Sequence, residues 1–160
     1  VLFRSLVLRN ELAATTSAFS TSNLQVGMWA IEAERIAQGR ARIGLDTDHK
    51  SIPNELGVLN KAVHMNKGCY RGQETVAKVF NLGKPPRRLT LLHLDGSGVD
   101  LPAPGAEIKL DGKSVGFLGT VARHHELGPI ALALLKRSVP LEVTLLAGTV
   151  PATQEAIVAP

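Results

Sequence analysis

Apolar positions follow two different rhythms along the chain, and the change falls at a pair of prolines. From Met28 to Gln38 the residues Trp29, Ala33, Ile36 and Ala37 recur at helical spacing. Glu32 and Gln38 occupy the other face and Gly39 closes the segment, which predicts an amphipathic helix. The stretch ELAATTSAF predicts another, with Asn10 as its N-cap and Leu12 and Phe19 on one face. A further helix is expected after Tyr70, with Val76, Val79 and Phe80 on its buried side. Ahead of all three, SLVLRN reads as a strand running into a polar break. By contrast, ARIGLDTDHKSIPNELG carries Gly44, Asp46, Asp48, Pro53, Asn54 and Gly57, too much turn chemistry for regular structure.

In NLGKPPRR, Pro85 and Pro86 force an extended backbone, so the boundary between two domains is expected there, residues 6–84 before it and 85–150 after it. Beyond it, RLTLLHLDG, AEIKLDGKSVGFLGTVARH, PIALALLKRS and LEVTLLAG are short apolar runs separated by Gly, Pro and Asp. Asp111-Gly112 lies between β-type residues, a strong hairpin signal. Short strands at this spacing predict a small antiparallel β-barrel or sandwich. Residues 151–160, PATQEAIVAP, carry neither turn nor periodic signal and are left as a tail. The expected class is therefore α+β. Residues 1–5, VLFRS, match the translation of a common sequencing-adapter tail and are set aside as an expected assembly scar, on which reading the chain would be a fragment with an incomplete first domain.

Charge sharpens this outline. The net charge is +4, and Lys61, Lys67, Arg71, Lys78, Lys84, Arg87 and Arg88 cluster against Glu74 alone. Such a concentration favours an anionic partner, although a solvated face beside a linker has the same composition. No apolar run approaches the roughly 18 residues of a membrane span, and no signal peptide is recognisable. A single cysteine excludes an internal disulfide and suits a reducing compartment, so a cytoplasmic protein without membrane contact is expected.

That cysteine, Cys69, stands in NKGCYRGQE ahead of a predicted helix. Unpaired N–H groups at a helix start carry partial positive charge and stabilise a thiolate, and Lys67 and Arg71 add full charges nearby. Gly68 and Gly72 remove side-chain bulk, so a ligand can approach the backbone. Free cysteine is nevertheless among the most buried residue types, and packing is its ordinary role. No metal site is expected: a centre built on cysteine wants about four ligands, and His64, His93, His124 and His125 lack ligand spacing with Cys69. Asp46 and Asp48 could bind amine or pterin nitrogens, but closing Asx-turns is the commoner duty of such residues. Glu74, in a first helical turn with Gln73, complements the helix dipole. There is no phosphate loop of the GxxxxGK[ST] kind, and aromatic residues are too few for a base-stacking platform.

KGCYRGQE at Lys67 to Glu74 resembles the signature of the YgfZ family of folate-binding proteins, relatives of the glycine-cleavage T-protein and of a mitochondrial iron–sulfur assembly factor. ERIAQGRARIGLDTD is similar to the family's RIEAGxPxxGxD segment, and SIPNELG to its xxPxE stretch. RRLTLLHLDG, PGAEIKLDGKSVGFLGTV and GPIALALLKR resemble the barrel shared with T-protein. The resemblance implies part of a folate-binding α+β domain followed by a small barrel, and tetrahydrofolate as cofactor. It implies an accessory role in assembly or repair of iron–sulfur proteins, tRNA-thiolating enzymes among them, with Cys69 as the acting thiol. Lys67, Gly68, Tyr70, Arg71, Gly72, Gln73 and Glu74 carry over as support for Cys69, and Arg35 matches the arginine beside the folate cavity. Where the family often has Glu, this chain has Ala37, leaving Glu32 or Glu34 to supply a carboxylate. Partners would be folate and iron–sulfur proteins or their assembly machinery. Two alternatives stand beside this reading: an aminomethyltransferase passing a one-carbon unit to tetrahydrofolate, and a basic nucleic-acid-binding module. The last is disfavoured because aromatic and basic residues do not interleave along strands.

Overall fold

The computed structural model describes residues 6–98 and 100–159, so the segment set aside at residues 1–5 lies outside the described residues. Among the described residues four α-helices precede six strands: α1 (Leu12–Ser20), α2 (Met28–Ala37), α3 (Leu59–Ala62) and α4 (Gln73–Leu82), then β1 (Arg87–Leu94), β2 (Glu107–Leu110), β3 (Lys113–His124), β4 (Gly128–Lys136), β5 (Leu145–Ala147) and β6 (Val150–Ala156). The strands close into an antiparallel barrel in the order β1-β4-β3-β2-β5-β6, with β6 returning to pair with β1.

Two sets of residues explain why β1 and β4 read as nearly unbroken apolar runs. Alternate side chains point inwards, Leu92 and Leu94 from β1 with Ala131, Ala133 and Leu135 from β4, and join Ile108, Leu118 and Leu145 in the barrel interior. The intervening residues Leu89, Leu91, Ile130 and Leu132 face outwards, where Ile36 of α2 packs on them. Both faces of these strands are covered, so strict apolar–polar alternation gives way to continuous burial. Between β2 and β3 the expected turn forms: Leu110 pairs with Lys113, and Asp111 and Gly112 have φ of 49° and 76°. Two positive φ values match the right-handed twist of the flanking strands and favour the Asp-Gly pair.

Four expectations need correction. Val150–Ala156 is a strand, not the start of a tail. Only Ala152 in it is buried, so it lacks an apolar rhythm; backbone pairing with β1 and β5 on its two sides makes it a strand. Leu6–Leu8 forms no strand, since no described strand pairs with it, and Arg9–Glu11 is a single 3-10 turn. Asn10 falls inside that turn, so Glu11 occupies the N-cap of α1 and makes no side-chain cap bond. On α2 the barrel buries Ala33 and Ile36 but leaves Trp29, expected on the same apolar face, 90% exposed.

One buried charge sits inside the barrel wall. Arg88 is fully buried and donates to the carbonyls of Arg137 and Val139, each at 2.9 Å, and to Gln154 Oε1 at 3.1 Å. Burial, together with the nearby positive charge of Arg137, pushes its pKa down. Its guanidinium ties β1 to the segment after β4 and to β6. Replacing Arg88 by Met should leave these buried acceptors unpaired and lower stability by about 2 kcal/mol or more, read as a shift in urea midpoint at unchanged slope. An unchanged midpoint would show that the interior tolerates their loss.

Candidate functional site

The irregular segment between α2 and α3 is held by three carboxylates, and these define the ground on which α2 stands. Register between β3 and β4 slips by one residue between Leu118 and Val121, a bulge that releases Thr120 from the ladder. Asp46, fully buried, fills the gap: its Oδ1 accepts from Thr120 N and, at 2.7 Å, from Thr120 Oγ1. Its Oδ2 accepts from Arg42 N at 2.7 Å and from Arg35 at 3.1 Å. A Cβ built on Gly119 would collide with Asp46 Oδ1, so glycine is required beside the bulge.

Arg35 is the hub. Its Nε and Nη2 donate to Glu32 Oε2 at 3.1 and 2.8 Å, Nη1 to Asp46 and to the carbonyl of Arg40, and Nη2 to Thr120 Oγ1 at 2.6 Å. A guanidinium has five N–H donors, and all five are engaged inside the protein. Arg35, which family likeness sets beside the folate cavity, is thus bound to Glu32, Asp46, Thr120 and the carbonyl of Arg40. Arg42 closes on the second oxygen of Glu32, so that carboxylate is fixed by two arginines.

A second cluster joins the same segment to β1. Arg87 meets Asp48 Oδ2 at 2.7 Å and Glu55 Oε1 at 2.8 Å, and Glu55 is almost fully buried. The Arg87 guanidinium holds the Asp48 carboxyl well below the usual carboxylate range, aided by Ser51 and the backbone N–H of Lys50. Its own pKa is raised by Glu55 and Asp48. Asp46 and Asp48 are thus fasteners; only Asp48 also closes an Asx-type turn, to Lys50 N. The basic stretch shrinks accordingly. Arg87 and Arg88 serve the fold, while Lys61, Lys67, Arg71, Lys78 and Lys84 remain exposed.

Beside α2 these fasteners leave a cleft of about 360 Å³ against β3 and the loop before β2. Met28, Trp29, Leu101 and Val121 give it apolar walls, and Glu32 supplies a carboxylate. Trp29, at core spacing in the sequence, stands in its wall, and of the two candidate carboxylates, Glu32 and Glu34, only Glu32 lines it. Glu34 instead lies 3.3 Å from His124 Nε2 and 3.8 Å from His125 Nδ1. That trio has the spacing of a metal group. Yet His124 Nδ1 accepts from the backbone N–H of Glu126 and Leu127, which places the ring proton on Nε2, the atom that would have to bind the ion. The donor set does not fit a cation.

Cys69 is exposed, in the turn between α3 and α4. Gly72 caps α4 with a left-handed φ of 81°, and Gln73 and Glu74 begin the helix as expected. Gly68 has open space around it, Lys67 and Arg71 are exposed, and the buried Tyr70 hydroxyl has no hydrogen-bond partner among the described residues. The motif and the cleft are separate: neither Cys69 nor its neighbours line the space beside Trp29. No helix among the described residues is long and apolar enough to cross a membrane.

Because Asp48 is depressed in the folded state, its contribution to stability is present above its unfolded pKa of about 4 and fades as the pH falls towards the folded value. Asp48→Asn should therefore cost about 1 kcal/mol at neutral pH, and the gap between the urea midpoints of variant and parent should begin to narrow below about pH 4 and still be narrowing under pH 3. A gap that stays constant with pH would rule out this linkage.

No protein-family model matches the chain. A protein of Arabidopsis thaliana named as a candidate chloroplastic transferase is 36% identical over 95 residues, 59% of this chain and 21% of that protein. The tRNA-modifying protein YgfZ of Buchnera aphidicola is 31% identical over 114 residues, 67% of this chain and 34% of that protein. Among solved structures, the glycine cleavage system aminomethyltransferase T of Bartonella henselae superposes with a TM-score of 0.66 at 18% identity, covering 88% of this chain and 41% of that one. The chain spans between about a fifth and a third of the length of the curated relatives it matches. Taken with the closed barrel and the α+β arrangement ahead of it, these likenesses mean that the chain has the fold of aminomethyltransferase T and belongs to the YgfZ-like family, matching part of its length.

Proposed function

We propose that the protein to which this chain belongs binds tetrahydrofolate and acts as an accessory factor in assembly or repair of iron–sulfur proteins, tRNA-modifying enzymes among them. The observation that carries the folate part is the cleft beside α2. A pterin is a flat heteroaromatic ring with N–H donors along one edge. It asks for an aromatic or apolar wall and an accepting carboxylate, and the cleft offers Trp29 with Met28 for the first and Glu32 for the second. Arg35 and Arg42 fix the direction of Glu32, so Arg35 serves the ligand through its neighbour.

Cys69 is the acting thiol in this reading. Its exposure, ahead of a helix start capped by a glycine and between two exposed cations, supports that role. The alternative, aminomethyl transfer to tetrahydrofolate, rests on likeness of fold. Formation of methylenetetrahydrofolate from an aminomethylated carrier would favour it. A nucleic-acid-binding role is weakened by the loss of Arg87 and Arg88 to internal contacts.

Trp29 is the only tryptophan, so its fluorescence reports on the cleft directly. Titration with tetrahydrofolate should quench it saturably, and Glu32→Gln should weaken the response about tenfold, the loss of one charge-assisted hydrogen bond. Absence of saturable quenching would remove folate from this cleft. In the full-length protein, Cys69→Ala should abolish rescue of iron–sulfur enzyme activity in a strain lacking the protein while leaving thermal stability unchanged. Full rescue by that variant would reject the thiol's role.

A further inference from the structure

At the opposite end of α2 lies a second cavity, of about 660 Å³, which the folate reading does not use. Three pieces of chain meet there: the turn after α2, the turn into α3 and the residues following β6. Leu56, Val58 and Ile157 give it an apolar floor. The contact is closely fitted, because Gly39, at φ 63°, lets Ile157 approach to where a Cβ would stand 2.9 Å from Ile157 Cδ1. Gly57, at φ 68°, does the same for Val158 at 3.1 Å.

Over this floor stand two cations, Arg40 and Lys61, and no carboxylate lines the cavity. Both side chains are exposed, and neither has an ion-pair partner among the described residues. The contrast with the other arginines of this region is informative. Arg35, Arg42 and Arg87 are all matched to carboxylates that hold the fold. Arg40 and Lys61 are left over, and they share one concave space. The carboxyl end of α2 contributes about half a negative charge there, which two full positive charges outweigh.

We propose that this cavity is a binding site for a small organic anion, an apolar body carrying a carboxylate or phosphate group. The apolar body lies on Leu56, Val58 and Ile157, and the anionic oxygens lie between Arg40 and Lys61. Such division of labour, apolar area for affinity and a few polar groups for orientation, is how small-molecule pockets work. The site does not depend on the folate reading. Nine residue steps along α2 lead from Trp29 to its C-cap Gln38, about 14 Å along the axis, so the two cavities can be told apart.

The test uses the whole chain, 15N-labelled, at low ionic strength, with benzoate and phenyl phosphate as probes and benzamide and inorganic phosphate as controls. Saturable shifts are expected at the amides of Gly39, Ala41 and Gly57, with half-saturation near 1 mM, the range expected of ligands this small. The stronger of the two aryl anions identifies the preferred anionic group. Benzamide should bind at least about fivefold more weakly, as should either anion to the double variant Arg40→Gln/Lys61→Gln. Both side chains are exposed, so the variant should keep the barrel amide spectrum of the parent. Failure of both aryl anions to shift these amides overturns the proposal. So does equal binding of benzamide, undiminished binding by the variant, or a response confined to the Trp29 indole. The last result would leave tetrahydrofolate binding at the other cleft standing.

Discussion

A single buried carboxylate organises the region that matters. Asp46 occupies the hole that the β3 bulge opens in the barrel wall and receives the N–H and hydroxyl that the bulge sets free. A buried carboxylate is tolerable only when its oxygens are fully occupied, and four donors from three parts of the chain occupy these. Satisfying Asp46 therefore fixes the barrel, the loop that carries it and α2 relative to one another. Everything presented by α2, Trp29 and Glu32 at one end and the turn of Arg40 at the other, inherits its position from that arrangement.

The same logic recurs in Arg87 with Asp48 and Glu55. Here the loop is held to β1, and the backbone joins in: Leu89 N donates to the carbonyl of Glu55 at 2.8 Å, and Val158 N to that of Leu89 at 3.2 Å. A segment without helix or strand, from residue 38 to residue 58, is made rigid by charge-assisted hydrogen bonds in place of a ladder. Such a segment can follow any path its carboxylates dictate, which suits it to shaping cavities between regular elements.

Much of the fold was legible because it rests on local rules. Asp111-Gly112 announces its hairpin, the spacing of Ala33 and Ile36 announces α2, and the apolar runs of β1 and β4 announce buried strands. What stayed hidden depends on partners far away in sequence. Nothing in PATQEA marks a strand, since its pairing comes from β1 and β5 and its side chains contribute one buried alanine. Asp46 looked like a turn residue until Thr120 was seen to lie beside it. Arg35 was marked by family likeness as lying beside the folate cavity, but its five donors, all engaged with groups of the chain itself, could be counted only in three dimensions. Trp29 sat at core spacing on α2, but it is left 90% exposed at the mouth of a cleft beside β3. Cys69 was conspicuous in sequence, and its exposure accords with an accessible thiol; its separation from the cleft could be known only in three dimensions.

Closing the barrel through β6 has a consequence for how the molecule is built. β1 must wait for a partner some sixty residues further along the chain before its second edge is covered. Until then, two rows of unpaired amides and carbonyls, one on β1 and one on β5, are open to strands of other molecules. The late, distant pairing raises the entropic barrier to completion and lengthens that vulnerable interval. In this barrel the least hydrophobic strand, easily overlooked in the sequence, is the seam that keeps nascent copies from sticking to one another.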